Sequence, residues 1–311
     1  MLTKIEKRID NIEIWDIIKC GISIKFISRC IMNGKFAFIG AGALTTAMVE
    51  CLTVYYGGPE NVEFYLYDKF PQQYKKFFGK KFIAADTCAQ AVNGSNYIVL
   101  SVKPQNLAEV LEEIKETANI QDKTFILPAA GVEMSTVTDV LGDVAVIRIM
   151  PNMPLRIGYG VTALCRNQFV GESQYYSVCA VFAACGHAFE LPESGMNAVI
   201  AATSSAPAYV YLFIKSMVDG AEALGLDPKT MLEPICRTVI GAAQMVIHSK
   251  KEPAELVEMV ATKGGTTEQA VSVLESRDFH NAIIDAMAAC TNRAEELAEI
   301  EKHRAEEAAN H

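Results

Sequence analysis

The sequence predicts an α/β protein: a doubly wound parallel sheet in the N-terminal part, followed by an all-helical region. Three observations predict it. Short apolar runs rich in aromatic and β-branched residues alternate with helix-compatible runs from Phe36 to Ile149, the pattern of strands joined by crossover helices. A glycine turn, Gly40-Ala41-Gly42, closes the first of these strands and opens a helix. Beyond Glu193 the periodicity is helical, punctuated by proline and glycine.

Taken in order, Phe36–Ile39 reads as strand and Thr45–Tyr56 as a helix broken by Gly57-Gly58-Pro59. Val62–Tyr67 is the second strand, ending at Asp68; residues 71–79 form a short helix and Phe82–Ala84 a short strand, and Gln90–Val92 belong to a helical turn. Tyr97–Val102 is continuously apolar up to its end, as expected of a strand covered on both faces. Leu107–Thr117 and Ser135–Leu141 read as helices, Thr124–Leu127 and Ala145–Ile149 as strands. Met150-Pro151-Asn152-Met153-Pro154 breaks the alternation, and a strand over Val161–Leu164, a helix over 173–185 and a last strand over 186–190 complete the first domain near Glu193. The helices that follow are Ala206–Leu224, with Pro207 in its first turn and Ser204 or Ser205 as cap; Pro228–His248 behind Asp227; one opened by Pro253; one capped by Thr266 or Thr267; and Phe279 to about Ile300. Val210, Leu212, Phe213, Ile214, Met217 and Val218 make the first of them apolar on more than one face. Such a helix needs a large surface to bury against, and a second copy of the chain supplies it most economically. Residues 1–31 read as an atypical leader, either translated from upstream of a natural start at Met32 or a loosely attached helix.

Of the 311 residues, 50% are hydrophobic and 21% charged, which excludes a disordered chain and allows two domains with a sizeable core. The net charge of -9, with no basic cluster, argues against a nucleic-acid partner. Nine cysteines without a Cys-x-x-Cys spacing read as reduced thiols of a cytoplasmic protein. The uncharged run Met196–Ile214 approaches membrane length, but Asn197, Thr203, Ser204, Ser205 and Pro207 make it a pair of buried helices instead. None of the five histidines has a partner at ligand spacing, so no metal site is predicted.

Gly40 lets the chain turn sharply, and Gly42 lets a pyrophosphate approach the backbone, with the N–H groups of Ala43 and Leu44 facing the phosphates. The third fingerprint position holds Thr45 in place of glycine or alanine. Asp68 stands where such a unit keeps an acid for the ribose 2′-hydroxyl; its charge repels a 2′-phosphate and favours NADH, while Lys69 pulls the other way. Ser101-Val102-Lys103-Pro104 ends a central strand, with Lys103 placed to meet an anion. Gly264-Gly265-Thr266-Thr267 joins two helices, and free N–H groups with two hydroxyls make a carboxylate site there. Each segment also has a plain structural reading: a turn, a solvated acid, a lysine reaching from the sheet edge, a capped interhelical turn.

Together these segments resemble the pyrroline-5-carboxylate reductase family over Lys35 to Leu297. Phe38-Ile39-Gly40-Ala41-Gly42 is similar to its first turn, Val102-Lys103-Pro104-Gln105 to its central cofactor loop and Ala129-Ala130-Gly131-Val132 to the next loop. Arg148-Ile149-Met150-Pro151-Asn152-Met153-Pro154 with Gly158-Tyr159-Gly160 resembles its interdomain signature. Ser205-Ala206-Pro207-Ala208-Tyr209 resembles the start of its dimerisation helix, and Gly264-Gly265-Thr266-Thr267 with Leu274-Glu275 its substrate loop. The resemblance implies a Rossmann-type domain over 32–193, a helical dimerisation and substrate domain over 194–300, a charged tail over 301–311, and homodimers that assemble further. It implies reduction of a small cyclic imine carboxylate, 1-pyrroline-5-carboxylate, to L-proline with NADPH or NADH. Carried over, Ile39, Gly40, Ala41, Gly42, Ala43, Leu44, Ser101, Val102, Lys103, Pro104, Ala129 and Ala130 hold the dinucleotide, beside Asp68 and Lys69. Thr267 bonds the ring nitrogen as the catalytic hydroxyl, and Thr262, Gly264, Gly265 and Thr266 line the carboxylate pocket. The sequence departs from the family at Thr262-Lys263, in place of Ser-Pro, at Cys88, in place of an asparagine beside the adenine ribose, and at Pro128, in place of a small residue. Two other readings stay open on those departures: a reductase of a different cyclic imine, and a dinucleotide-binding protein with little catalysis.

Overall fold

The computed structural model describes residues 35–309. The predicted leader over 1–31, the start at Met32 and the end of the tail at 310–311 lie outside the described residues. Contacts divide the chain into two compact units, one running to Ser204 and resuming at Thr291, the other Ser205–Cys290.

The first unit is built on an eight-stranded sheet in the order β3-β2-β1-β4-β5-β6-β7-β8. Its strands are β1 (Phe36–Ile39), β2 (Phe64–Tyr67), β3 (Phe82–Ala84), β4 (Tyr97–Leu100), β5 (Thr124–Leu127), β6 (Ala145–Pro151), β7 (Gly160–Arg166) and β8 (Gly186–Glu190). The accompanying helices are α1 (Ala43–Tyr55), α2 (Cys88–Asn93), α3 (Leu107–Thr117), α4 (Met134–Leu141) and α5 (Glu172–Ala183). β1 to β6 pair in parallel, and the strand order reverses between β1 and β4. β1, β5 and β6 are buried along their whole length, which is why their sequences show no alternation of apolar and polar residues; Thr124 in β5 and Arg148 in β6 are the buried polar exceptions. The doubly wound parallel sheet expected from the sequence is present, with one antiparallel pair that the sequence reading did not foresee, β7 against β6. The cause is the link over 152–159, since a parallel return takes a crossover of about a dozen residues or more. The expected helix over 71–79 is a 3-10 segment, Pro71–Phe77, whose buried Phe77 packs edge-on against Phe64 and Phe82.

The cysteines also differ from expectation. Cys51 on α1 and Cys185 just after α5 form a disulfide, with both residues 1% exposed. Their separation of 134 residues hides the pairing in the sequence; α1 and α5 packing together brings the Cα atoms to 5.6 Å. Cys88, Cys165, Cys179, Cys236 and Cys290 form no disulfide and stay reduced, as expected. Proteolytic mapping without reductant is expected to recover the Cys51 and Cys185 peptides as one linked species. Recovery of the two as separate peptides in freshly purified protein would remove the cross-link.

The second unit consists of α6 (Ala206–Ala223), α7 (Pro228–Ser249), α8 (Pro253–Val260), α9 (Thr266–Ser276) and the start of α10 (Phe279–Ala309), which runs past the expected end near 300 and on into the first unit. Pro207, Pro228 and Pro253 occupy opening turns, where a missing N–H leaves no bond unmade. Ser205 takes the cap position of α6 without a side-chain bond to the helix's own N–H groups, whereas Asp227 caps α7 by accepting the Thr230 N–H at 2.9 Å. Among the described residues of this unit, the buried apolar side chains are those of Ala221 and Ile235, while Leu212 and Ile247 are 65% and 63% exposed. Among the described residues no helix is long and apolar enough to cross a membrane.

Candidate active site

Register places the predicted cofactor residues on one edge of the sheet. Ile39 pairs with Tyr67 and with Leu100, and Val99 with Ile126. The next residues, Gly40, Asp68, Ser101 and Pro128, therefore leave neighbouring strands side by side, about 4.8 Å apart from one strand to the next. This is the carboxyl edge at the point where strand order reverses, the place where open α/β sheets bind ligands.

The turn after β1 is fixed from three sides. Gly40 has φ +103°, and a Cβ there would lie 2.6 Å from the Ser101 carbonyl oxygen. Thr45 is fully buried and its hydroxyl donates to the Gly40 carbonyl at 2.6 Å, which accounts for a threonine at the third fingerprint position. The Ala41 N–H donates to Asp68 Oδ2 at 2.7 Å, and the Phe70 N–H to Asp68 Oδ1 at 2.8 Å. Asp68 is thus at its predicted place, but both carboxylate oxygens hold backbone donors. Lys69 lies beside it and pairs with Glu109 at 2.7 Å. Sequence reasoning missed Lys76, whose ammonium lies 3.4 Å from the Ala41 carbonyl and also bonds Gln73. Its helical-looking surroundings gave no sign that it points back to the turn.

These features fit a dinucleotide. Gly42 is exposed, with nothing within 4 Å of the position a Cβ would take, and it adjoins Ala43 and Leu44, whose N–H groups open α1. The Ser101 hydroxyl oxygen is buried without a hydrogen-bond partner among the described residues, leaving a donor for a ligand. Val102 and Pro104 are half-buried, and Lys103 is exposed at the start of the 3-10 segment Pro104–Asn106. Cys88, by contrast, is fully buried in α2; burial, with Glu113 adding to it, pushes its thiol up to about 12, so it is a neutral filler.

Ala129 and Ala130 follow β5, and the loop continues into Gly131 at φ +73°. A Cβ on Gly131 would lie 2.9 Å from the Ala294 carbonyl oxygen, so α10 packs directly on this loop. Beside it, Arg148 of β6 is 1% exposed; one guanidinium nitrogen donates to Asn197 Oδ1 at 2.7 Å and another to Glu193 Oε1 at 3.4 Å. The same Glu193 oxygen accepts the Met134 N–H at 2.7 Å, at the start of α4. Asn152 accepts the Val161 N–H at 2.9 Å and donates to the Thr203 carbonyl at 3.1 Å, pinning the π-helical turn Ile200–Ser204 to β7.

The predicted substrate residues lie in the second unit, on the loop between α8 and α9. Gly264 has φ +78°, its N–H donates to Glu268 Oε2 at 2.7 Å, and the Gly265 N–H donates to the Thr262 carbonyl at 2.9 Å. Gly265, not Thr266 or Thr267, is the cap of α9. The donors left for an anion are then the first-turn N–H groups and hydroxyls of Thr266 and Thr267. Thr262, Lys263, Gly264 and Thr266 are exposed, and Thr267 is half-buried.

The profile of a family described as pyrroline-5-carboxylate reductase dimerisation matches residues 193–297, and that of a family described as NADP oxidoreductase, coenzyme F420-dependent, matches residues 35–131. A pyrroline-5-carboxylate reductase of Synechocystis is 38% identical over 208 residues, 67% of this chain and 77% of that one. That of Methanosarcina acetivorans is 33% identical over 269 residues, 85% of this chain and 98% of that one. Among solved structures, a pyrroline-5-carboxylate reductase from Coxiella burnetii has 29% identity and a TM-score of 0.73, covering 85% of this chain and 98% of the other. A Plasmodium falciparum pyrroline carboxylate reductase with NADP bound shares the fold, with 24% identity and a TM-score of 0.77 over 86% of this chain and 99% of that one.

Proposed function

The chain belongs to the pyrroline-5-carboxylate reductase family, and from that premise we propose that it reduces 1-pyrroline-5-carboxylate to L-proline. It is a nicotinamide-dinucleotide-dependent oxidoreductase acting on a C=N bond. The observation that carries the reading is the alignment of Gly40, Asp68 and Ser101 on the carboxyl edge of the sheet, with a buried hydroxyl left over at Ser101. Bound there, reduced dinucleotide supplies the hydride. The turn residues Ile39 to Leu44 and the loops at Ser101–Pro104 and Ala129–Ala130 orient it. The Thr266 and Thr267 N–H groups and the Thr262 and Thr266 hydroxyls receive the substrate carboxylate, around the tight backbone of Gly264 and Gly265. The Thr267 hydroxyl bonds the ring nitrogen and fixes the face presented to hydride. A protonated imine is already electrophilic, so orientation and electrostatics are what the side chains add.

The apolar faces of α6 and α7 support a homodimer formed through 194–300, with 32–193 as the dinucleotide domain and further assembly of dimers. The proposed location is the cytoplasm. The preference for NADH expected from Asp68 rests on its charge; a backbone N–H on each carboxylate oxygen offsets that charge locally, and the neighbouring cations act against it.

Purified chain given 1-pyrroline-5-carboxylate is expected to oxidise NADPH or NADH. Turnover with a six-membered imine alone would transfer the activity to another substrate, and cofactor binding without any turnover would reduce the chain to a binding protein. Thr267→Val is expected to lower kcat about ten- to a hundredfold, the value of one hydrogen bond to a charged group, with cofactor affinity unchanged. An unchanged kcat would remove Thr267 from the reaction.

A further inference from the structure

Three charged side chains that follow β2 differ in what they face. Asp68 holds the Ala41 and Phe70 N–H groups, one on each carboxylate oxygen, so two amide dipoles offset its charge locally. Lys69 is turned to α3 and paired with Glu109. Lys76 has its ammonium 3.4 Å from the carbonyl of Ala41, the middle residue of the turn, and its other contact is the neutral Gln73. Among the described residues no carboxylate forms an ion pair with it. A cation in no ion pair therefore stands against the backbone of the turn that Asp68 also touches.

In a unit of this kind the acid at the end of the second strand marks the adenosine ribose, and the ribose 2′ substituent distinguishes the two nicotinamide cofactors. A 2′-phosphate brings a dianion that an ammonium attracts as a point charge; a 2′-hydroxyl has no such need. Resting on the dinucleotide reading above, we propose that Lys76 is the specificity-determining residue of this site: it recognises the 2′-phosphate and makes NADPH the preferred cofactor. The sequence conceals this because Lys76 is one of several lysines between Asp68 and Phe82, and only the 3-10 fold of Pro71–Phe77 brings its ammonium back to Ala41.

The test separates binding from turnover. The full chain is titrated calorimetrically with adenosine 2′,5′-bisphosphate and with adenosine 5′-monophosphate. Wild type is expected to bind the bisphosphate at least about tenfold more tightly, the equivalent of one charge-assisted contact. Lys76→Gln is expected to abolish that difference while leaving the monophosphate affinity unchanged, and to lower kcat/KM for NADPH but not for NADH. Lys75→Gln, an exposed neighbour on the same segment, is expected to change neither. Equal affinities in wild type, or a Lys76→Gln variant that weakens both nucleotides alike or neither, would overturn the proposal. Such a result together with continued reduction of 1-pyrroline-5-carboxylate would fail the lysine and keep the activity; loss of all dinucleotide binding in wild type would fail both.

Discussion

Gly40→Ala is expected to weaken dinucleotide binding by about a hundredfold or more, close to 3 kcal/mol, and to lower thermal stability at the same time. Two independent effects act at this position. The backbone has φ +103°, which an L side chain occupies at a strain of about 1–3 kcal/mol. The added Cβ would also lie 2.6 Å from the Ser101 carbonyl oxygen and 3.1 Å from the Val102 nitrogen, which is backbone and gives little. Relief requires the turn after β1 and the loop after β4 to move apart, and these are the two segments proposed to hold the cofactor. Thr45 and Asp68, bonded to Gly40 and Ala41, would be displaced with the turn. Gly42→Ala makes the informative comparison: nothing lies within 4 Å of its Cβ, so stability should hold while cofactor affinity falls. Fluorescence titration with NADPH, paired with thermal unfolding, reads both quantities. If Gly40→Ala binds within about threefold of wild type, the turn is not the nucleotide site.

Strand positions were legible because burial on both faces writes itself into continuous apolar runs, as in Tyr97–Leu100 and Thr124–Leu127. The glycine turn was legible because Gly40 occupies backbone that few other residues accept, two residues before Gly42 and the start of a helix. Strand direction was not: hydrophobic periodicity carries no sense of direction, and β7 reversed on the shortness of its link. Side-chain partners far apart in sequence were equally hidden. Asp68 could be placed at the end of β2 from its motif, but not its bond to Ala41, 27 residues away. Thr266 and Thr267 looked like helix caps because hydroxyls commonly are, whereas the extended backbone of Gly265 took the position and left both hydroxyls available. Glu193 was read only as the place where the first domain ends. Nothing local reveals that its carboxylate reaches a buried arginine on β6.

That carboxylate carries the second large effect. Glu193→Ala is expected to destabilise the first unit by about 3 kcal/mol, within the range for breaking a buried ion pair by removing one partner. The reason lies on the arginine side. Arg148 is 1% exposed and its Nε already lacks a partner among the described residues, so without Glu193 the guanidinium keeps only Asn197 in a dry setting. Met134 loses the acceptor of its N–H at the head of α4 in the same substitution. Glu193 itself is 32% exposed at its side chain, so removing the arginine leaves the carboxylate with access to water. Arg148→Met is therefore expected to be the milder change, although the arginine is the more deeply buried of the two. Glu193→Gln keeps an oxygen for the Met134 N–H but not the charge, and should fall between them if both contributions matter. At about 2–4 °C per kcal/mol for a unit of this size, Glu193→Ala should lower Tm by about 6–12 °C. In the double variant, Arg148→Met with Glu193→Ala, the loss should be smaller than the sum of the single ones, because no unpaired guanidinium remains. Additive losses, or an Arg148→Met variant less stable than Glu193→Ala, would show that Glu193 acts through the helix cap alone and that the buried guanidinium is held by other means.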